Sequence, residues 1–330
     1  MARKKISFEG IGSLPFDWED EKEEYTGVSE RRSVYDRIRM PEKEGKPEPS
    51  DNLLYYISFG SGSSGNSSYV GTSKGGVIID AGIRADEIEK KIRANGIDMK
   101  KVHGVLLTHD HSDHVRYAYT LLRHHKHMRL FCTPRILTAI LRRHDISSRI
   151  KDYHNPIFKE IPFKVGELEI TAFEVPHDGH DNMGFSINFQ SRNFVLATDM
   201  GEIMPRARHY MSEAHYLVIE SNYDLHMLLT GRYPEFLKAR IQTSSGHMDN
   251  EATAAFLKEI YNPKLKHIFL CHLSQDNNTP EKALEKVRKA LEEAGAKVGT
   301  GMETLEDRKA DVQLMALPRF DATRLFVFRP

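Results

Sequence analysis

The chain has 330 residues, with 47 Lys or Arg against 47 Asp or Glu, so its formal net charge is zero. This balance excludes a globally basic nucleic-acid binder but allows a local basic groove. The two cysteines, Cys132 and Cys271, are too few for a disulfide scaffold or a four-cysteine zinc module. No apolar stretch approaches the ~18 residues that cross a bilayer, and no apolar run follows the charged N-terminus. We therefore expect a soluble cytoplasmic protein with no membrane partner.

The composition divides the chain near residue 50. Residues 1–50 are polar, mix proline with charge and show no sustained period, which predicts a weakly structured N-terminal extension whose partner the sequence does not identify. Residues 51–330 alternate apolar runs with turn residues and predict one folded catalytic domain.

The predicted elements follow in chain order. Strands are expected at 54–59, 68–71, 77–80, 105–107, 129–132, 168–175, 184–190, 194–198, 216–220 and 268–271. Helices are expected at 85–95, 115–125, 250–261 and 279–295, the third capped by Asp249 or Asn250 and the last by Thr279. Strands outnumber helices early and alternate with them late, which indicates stacked sheets with helices outside.

A run of ligand-type side chains follows the strand at 105–107. It contains His109, His111, Asp113 and His114, all within six residues. Imidazole and carboxylate groups this close together are typical of a site for zinc, manganese or iron. In a loop, the first two histidines would face one ion while Asp113 and His114 face a second.

Other candidate ligands also follow predicted strands. His177, Asp199 and His272 each come at or just after a strand end. Strand ends converge on one rim in layered α/β folds, so these side chains are expected near the first group. Asp80 ends a strand as well, and we expect it to accept a hydrogen bond from a ligand histidine.

This ordered set, His109-x-His111-x-Asp113-His114 followed by His177, Asp199 and His272, resembles the metallo-β-lactamase superfamily. The resemblance implies an α/β fold. Its architecture would be a four-layer αββα sandwich with two divalent metal ions at one edge. It implies these ligand sets: His109, His111 and His177 for the first ion, Asp113, His114 and His272 for the second, and Asp199 between them.

Further segments resemble one family within that superfamily, YycJ/WalJ. They are the glycine-rich segment 59–67, residues 80–82, 220–224, 246–247 and 272–280, within a resemblance covering about residues 54–298. The resemblance implies a metal-dependent 5′→3′ exonuclease on double-stranded DNA.

The glycine-rich segment 60–65 fits G-x-G-x-x-G, but a strand rather than a helix is predicted after it, which excludes a dinucleotide site or a P-loop. Two interpretations stay open. It is a tight hairpin, or a loop whose N–H groups and side chains, including Ser63 and Asn66, contact a substrate phosphate.

Two further residues are candidates for the site. His247 would bind phosphate or protonate a leaving oxygen, or else be a polar turn residue. Asn222 follows a strand and is expected to support the site. The basic run 123–127, with Arg116, is either a solvated face or part of a nucleic-acid groove.

The predicted mechanism is phosphodiester hydrolysis, in which two ions lower the pKa of a bridging water and the resulting hydroxide attacks phosphorus. Asp199 would fix the ion spacing, Asp113 would orient the hydroxide, and His247 would act on the leaving group.

The same ligands also serve other reactions, which leaves alternative functions open. RNA is an alternative partner, because RNases use these ligands, and thioesterases and lactonases use them on an acyl carbon. A non-catalytic, metal-stabilised adaptor is a further alternative, which the seven ligand candidates disfavour because a structural zinc site needs only four.

Overall fold

The structure, a computed structural model, describes residues 52–302 and 304–330. The predicted extension at 1–50 lies outside the described residues, so that prediction stays untested.

The described part of the chain contains strands of two to seven residues and helices of four to fourteen. The strands are β1 (Leu54–Gly60), β2 (Ser67–Thr72), β3 (Gly75–Ile79), β4 (Val102–Leu106), β5 (Arg129–Cys132), β6 (His154–Pro156), β7 (Phe163–Val165), β8 (Leu168–Glu174), β9 (Met183–Phe189), β10 (Arg192–Ala197), β11 (Tyr216–Glu220), β12 (His267–Cys271), β13 (Val298–Gly299), β14 (Val312–Ala316) and β15 (Phe326–Phe328). The α-helices are α1 (Ala85–Ala94), α2 (Ser112–Val115), α3 (Ala118–His124), α4 (Pro134–Arg143), α5 (Pro205–Ser212), α6 (Leu225–Thr230), α7 (Glu235–Ile241), α8 (Asn250–Ile260) and α9 (Pro280–Glu293).

The strands form two mixed sheets. The first has the order β15-β1-β2-β3-β4-β5-β6, antiparallel as far as β3 and parallel from β3 to β6. The second has the order β13-β14-β12-β11-β10-β9-β8-β7, parallel from β13 to β10 and antiparallel beyond. Each sheet therefore has a block of parallel strands whose carboxyl ends share one edge.

Aromatic side chains fill the space between the sheets. The ring of Tyr56 on β1 lies 4.9 Å from Phe194 on β10 and 5.0 Å from Phe269 on β12, centroid to centroid. Phe326 on β15 lies 4.9 Å from Phe269. All four side chains are buried, and each removes on the order of 150–250 Å² from water, so this layer stabilises the sheet pair.

Helices cover the outer faces. On β11, Tyr216 and Val218 belong to the core between the sheets, whereas Leu217 and Ile219 pack with residues of α5, α8 and α9. Alternate residues thus point to opposite faces and all of them are buried, as in a sheet covered on both sides. Helices α1, α3 and α4 pack their apolar residues against the first sheet. The predicted four-layer αββα sandwich is confirmed.

Most predicted elements are confirmed, including the strands at 184–190 and 194–198, which pair antiparallel as β9 and β10. Asp249 caps α8 by accepting from the Ala252 N–H at 2.8 Å, and Thr279 caps α9 by accepting from the Lys282 N–H at 3.3 Å. The glycine-rich segment joins antiparallel strands β1 and β2, so no helix follows it.

Two predicted elements differ from the structure, and several elements of the structure were not predicted. The single helix expected at 115–125 is two helices, because the Tyr117 N–H donates to the carbonyl of Ala81 (2.9 Å) instead of continuing α2. His114 consequently lies on α2 rather than in a loop. The strand expected at 77–80 ends at Ile79. The elements that were not predicted are helices α4, α5, α6 and α7 and the short strands β6, β7, β13, β14 and β15. None of the helices in the described residues has the length and apolar character to cross a membrane.

Candidate metal centre

The candidate ligands lie at the edge where the parallel strands of both sheets end. Asp80 directly follows β3, Asp199 lies two residues beyond β10, and His272 directly follows β12. These three residues adopt left-handed backbone conformations, with φ of 59°, 51° and 53°. Such conformations cost on the order of 1–3 kcal/mol for a residue other than glycine and cluster at functional sites. The strained turns hold these side chains at the rim instead of letting the strands continue.

Three imidazoles form the first group. One ring nitrogen from each of His109, His111 and His177 lies within 4.8 Å of the others. The His177 Nε2 is 3.3 Å from the His111 Nδ1. This is the trio expected to hold the first ion.

A second group combines a carboxylate with two imidazoles, those of Asp113, His114 and His272. The Asp113 Oδ2 lies 3.5 Å from the His114 Nε2 and 3.6 Å from the His272 Nε2. Asp113 is partly exposed, with 17% of its side chain accessible, whereas the two histidines are buried. The group therefore opens to solvent on the Asp113 side.

Asp199 lies between the two groups. Its Oδ2 is 3.3 Å from the His114 Nε2, and its Oδ1 is 3.2 Å from the His272 Nδ1 and 3.9 Å from the His177 Nε2. The carboxylate thus contacts the second group and faces a member of the first, which is the position expected of a bridging ligand.

Two buried nitrogens in this cluster fit a metal. The Nε2 atoms of His109 and His272 have no hydrogen-bond partner among the described residues. A buried polar atom without a partner costs about 1–3 kcal/mol, so such atoms need a partner that is not a protein group. Together with the other candidate imidazole and carboxylate side chains of the two groups, these atoms form the kind of donor set that holds a divalent metal ion.

The protonation states of His109, His177 and Asp199 suit metal binding directly. Burial lowers the pKa of His177, and burial together with the nearby His114 holds the pKa of His109 well below its ordinary value, so both rings keep a free lone pair at neutral pH. Burial would raise the pKa of the Asp199 carboxyl, but His272 and His114 hold it well below its ordinary value. Asp199 is therefore an anion. Burial would lower the pKa of His114 and of His272, but the carboxylates around them raise both, that of His272 to about 10, so an ion that binds these rings must displace a proton.

Asp80 orients one of the ligand histidines. Its Oδ2 lies 2.8 Å from the His114 Nδ1, and its carboxylate also accepts hydrogen bonds from the backbone N–H and hydroxyl of Thr108. With Nδ1 held by Asp80, the His114 Nε2 faces Asp113 and Asp199. This is the contact expected for Asp80 from the sequence.

His177 and His111 are oriented in the same way. The His177 Nδ1 donates to the carbonyl of Gly246 at 3.0 Å, which leaves its Nε2 facing the cluster. The His111 Nε2 lies 3.2 Å from the Asp178 carboxylate, and the Arg240 guanidinium holds that carboxylate in turn. Each imidazole of the first trio thus presents one defined nitrogen to a common centre.

Glu220 is part of the site, although the sequence reasoning did not single it out. This fully buried carboxylate lies 2.6 Å from the His247 Nδ1 and 3.1 Å from the His272 Nδ1 through Oε1. Its Oε2 accepts from the Met200 and Met248 N–H groups at 2.8 and 3.4 Å. The available signal was its position at the end of β11, between the strands that lead to Asp199 and His272.

His247 lies at the rim beside this carboxylate. Its Nδ1 is 3.8 Å from the Asp199 Oδ1, and about a fifth of its side chain is exposed. Burial alone would lower the pKa of His247, but the Glu220 carboxylate raises it above its ordinary value. The ring is therefore able to carry a proton at the edge of the site.

The remaining predicted site residues lie at different distances from the cluster. The Asn222 Nδ2 donates to the carbonyl of His272 at 2.7 Å. The Asn66 Nδ2 is 2.9 Å from the His114 Nε2 and 3.2 Å from the Asp113 Oδ2. Ser63 is exposed on the same loop, where it accepts a hydrogen bond from Arg319.

Several neighbouring histidines lie outside the cluster. His180 contacts the buried Asp110 through its N–H and its Nδ1, at 2.8 and 2.9 Å. His124 and His125 contact Glu89 on α1, and the His127 Nε2 donates to a carbonyl of β4. These contacts tie the basic run at 123–127 to the helix layer of the first sheet.

Comparison with known proteins agrees with the fold. The β-lactamase superfamily domain matches residues 76–272, which span the ligand set from Asp80 to His272. The chain belongs to the β-lactamase superfamily, as a hydrolase of the metallo-β-lactamase fold.

Two characterised relatives are similar over most of their length. The exodeoxyribonuclease YycJ of Bacillus anthracis is 33% identical over 251 residues, covering 76% of this chain and 94% of YycJ. The exodeoxyribonuclease WalJ of Streptococcus pneumoniae is 31% identical over 245 residues, covering 74% of this chain and 90% of WalJ. The predicted resemblance to the YycJ/WalJ family is confirmed.

A solved structure shares the fold. The metallo-β-lactamase fold protein YhfI of Bacillus subtilis superposes with a TM-score of 0.56 at 14% sequence identity, covering 84% of this chain and 100% of YhfI. The similarity is one of architecture, since so low an identity carries no information on substrate.

Proposed function

We propose that this protein is a metal-dependent phosphodiesterase that digests double-stranded DNA from the 5′ end with two divalent ions. The observation that carries the proposal is the position of Asp199 between the two ligand groups, within 3.3 Å of His114 and 3.9 Å of His177. The exodeoxyribonuclease activity named for YycJ and WalJ supports DNA as the substrate.

The proposed ligands keep their predicted division: His109, His111 and His177 for one ion, Asp113, His114 and His272 for the other, and Asp199 between them. When bound, zinc, manganese or iron ions would supply Lewis acidity and a hydroxide nucleophile at neutral pH. The protein contributes a preorganised arrangement, since Asp80, Gly246 and Asp178 each hold one ligand imidazole in its productive tautomer.

Two further side chains would act on the substrate. Asp113 is the more exposed carboxylate of the cluster, so it can orient the attacking water as well as bind an ion. His247 would donate a proton to the leaving oxygen from its Nε2, because Glu220 holds its Nδ1. The same imidazolium would otherwise bind a phosphate oxygen.

We propose a single catalytic domain over residues 51–330, with residues 1–50 as an extension of unassigned partner. A cytoplasmic location accompanies this function, because the DNA substrate is there. Both cysteines are buried and unpaired, as expected in a reducing compartment.

The test reconstitutes the purified protein separately with zinc and with manganese. It is assayed on linear duplex DNA, single-stranded DNA, RNA and a thioester, beside the double variant Asp113→Ala/His114→Ala. We expect shortening of the duplex from the 5′ end, with activity lost in the variant because it removes two of the proposed ligands of one ion.

The other substrates separate the alternatives. Turnover of RNA alone, or of the thioester alone, would contradict the proposed substrate while leaving the metal centre standing. Two tightly bound ions with no turnover of any substrate would instead favour an adaptor. A circular-dichroism melt of the double variant shows whether it is folded, so that lost activity is not mistaken for unfolding.

A further inference from the structure

A basic pocket of about 150 Å³ lies beside the glycine-rich loop, outside the ligand cluster. Its lining includes Ser64 and Gly65 of that loop, Arg84, Arg116 and Arg319. Glu87 is the one acidic residue in the described lining, so three positive charges face one negative charge. The pocket is therefore suited to an anion.

Two of the three arginines form no ion pair among the described residues, although the Asp276 carboxylate lies near enough to Arg319 to act on its charge. Arg84 forms a bidentate ion pair with Asp86, at 2.8 and 3.1 Å, which neutralises it locally. Arg116 is exposed and forms no ion pair within residues 52–302 and 304–330. Arg319 is half-buried and donates to the Ser63 hydroxyl at 3.2 Å and to the carbonyl of Leu273, both of them neutral acceptors.

The pocket shares a wall with the metal centre. Gly65 of the pocket directly precedes Asn66, whose N–H donates to the carbonyl of Asp113 at 2.8 Å and whose side chain contacts the Asp113 carboxylate. Gly82, also in the lining, donates to the Asn66 carbonyl at 2.9 Å and packs on the Asp113 backbone too closely to admit a Cβ. One layer of backbone thus separates the pocket from the open side of the cluster.

The size of the pocket and the residues at its rim limit the kind of ligand that it can bind. A volume of about 150 Å³ is large enough to admit a phosphate group. Phe320 lines the rim with 66% of its surface exposed, and the Arg319 guanidinium carbon lies 5.9 Å from the centre of its ring. A cationic site next to an exposed aromatic face is how proteins hold successive phosphates and bases of a strand.

We infer that Arg116 and Arg319 bind one phosphate of the nucleic-acid substrate in this pocket, and that Phe320 stacks on the adjacent unpaired base. This inference rests on the proposed nuclease function and names a substrate contact outside the metal centre. The contact comes from residues 319–320, which lie in the chain far from every candidate metal ligand but meet the glycine-rich loop in the fold.

The test uses the full-length variants Arg116→Gln and Phe320→Ala. Matched controls are Arg149→Gln, an exposed arginine that lines neither the pocket nor the cluster, and Phe158→Ala, an aromatic with 52% of its surface exposed. Binding of a fluorescent duplex with a single-stranded 5′ tail is measured by anisotropy in chelator. Hydrolysis of bis(4-nitrophenyl) phosphate with metal reports the catalytic centre alone, since this diester has no second phosphate.

Each pocket variant is expected to weaken DNA binding about five- to tenfold, while the small diester is hydrolysed at the unaltered rate. For Arg116→Gln, the slope of log K against log salt should also fall in magnitude by about 0.7–0.9, because one phosphate contact is lost. Both control variants should bind DNA like the unaltered protein.

Unchanged DNA binding in both pocket variants would overturn the inference. So would equal losses on DNA and on the small diester, since these would indicate damage to the fold. Failure of the unaltered, metal-loaded protein to digest any nucleic acid would contradict the proposed function instead, and the chelator binding measurement would still decide whether the pocket contacts DNA.

Discussion

Replacing Glu220 by Gln changes one buried carboxylate at the centre of the histidine network. This carboxylate faces four nitrogens: the Nδ1 atoms of His247 and His272, and the backbone N–H groups of Met200 and Met248. A carboxylate accepts from all four, but an amide has a single oxygen and a nitrogen that only donates. In either orientation, the Gln amide nitrogen therefore faces two groups that donated to Glu220.

The magnitude follows from these contacts. A buried donor that loses its acceptor costs about 1–3 kcal/mol, so displacing two of them should lower the free energy of unfolding by about 2–6 kcal/mol. At about 2–4 °C per kcal/mol, the melting temperature should fall by about 5 °C or more. The amide would also favour the wrong tautomer of His272, and lost orientation of a ligand histidine typically costs 10–100-fold in metal affinity.

The assay combines thermal unfolding in chelator with a zinc titration of the metal-free protein. Glu259→Gln serves as the control, because Glu259 is an exposed carboxylate paired with Arg208. We expect Glu220→Gln to melt lower and to bind the second equivalent of zinc at least tenfold more weakly than Glu259→Gln does. Equal melting temperatures and equal affinities for both equivalents would refute the role assigned to Glu220.

Three further predictions follow from the same contacts. Asp80→Asn should weaken zinc binding about 10–100-fold in a zinc titration, since the carboxylate that orients His114 is lost; unchanged affinity would refute this. Chelator should lower the melting temperature by several degrees, because an ion at 100 times its Kd stabilises the fold by about 2.7 kcal/mol, and added zinc should restore it; a melt insensitive to chelator would argue against resident ions. Gly82→Ala should destabilise the protein in urea by more than 3 kcal/mol, because its Cβ would overlap the Asp113 carbonyl, whereas Gly96→Ala, whose Cβ meets no atom within 4 Å, should cost about 1 kcal/mol. Equal losses for these two glycines would contradict the close packing at Gly82.

Local sequence patterns predicted the rim well, because a polar side chain directly after an apolar strand is a local feature. Asp80, Asp199 and His272 were found in this way, and the structure places all three at the shared edge. Glu220 was missed because it is the last residue of the strand predicted at 216–220 and was interpreted as a strand residue rather than as a side chain of the site. Its contacts depend on β11 lying between β10 and β12, a pairing that no local pattern contains.

Non-local contacts account for the other differences. The break between α2 and α3 follows from the hydrogen bond between the Tyr117 N–H and the Ala81 carbonyl. These two residues are far apart in the sequence, so no local pattern predicts that they meet. In the basic pocket, Arg319 contacts Ser63 on the loop at 60–66. Arg319 shortly precedes β15, so this contact depends on the pairing of β15 with β1, two strands that are far apart in the sequence. Periodicity indicates which residues are buried, but it does not indicate which distant segments meet.

The most direct test of the two-ion centre is an anomalous-scattering map from crystals of the zinc-loaded protein. We predict two peaks per chain, one among His109, His111 and His177 and the other among Asp113, His114 and His272, with the Asp199 carboxylate between them. A single peak, or a peak that Asp199 does not contact, would contradict this prediction.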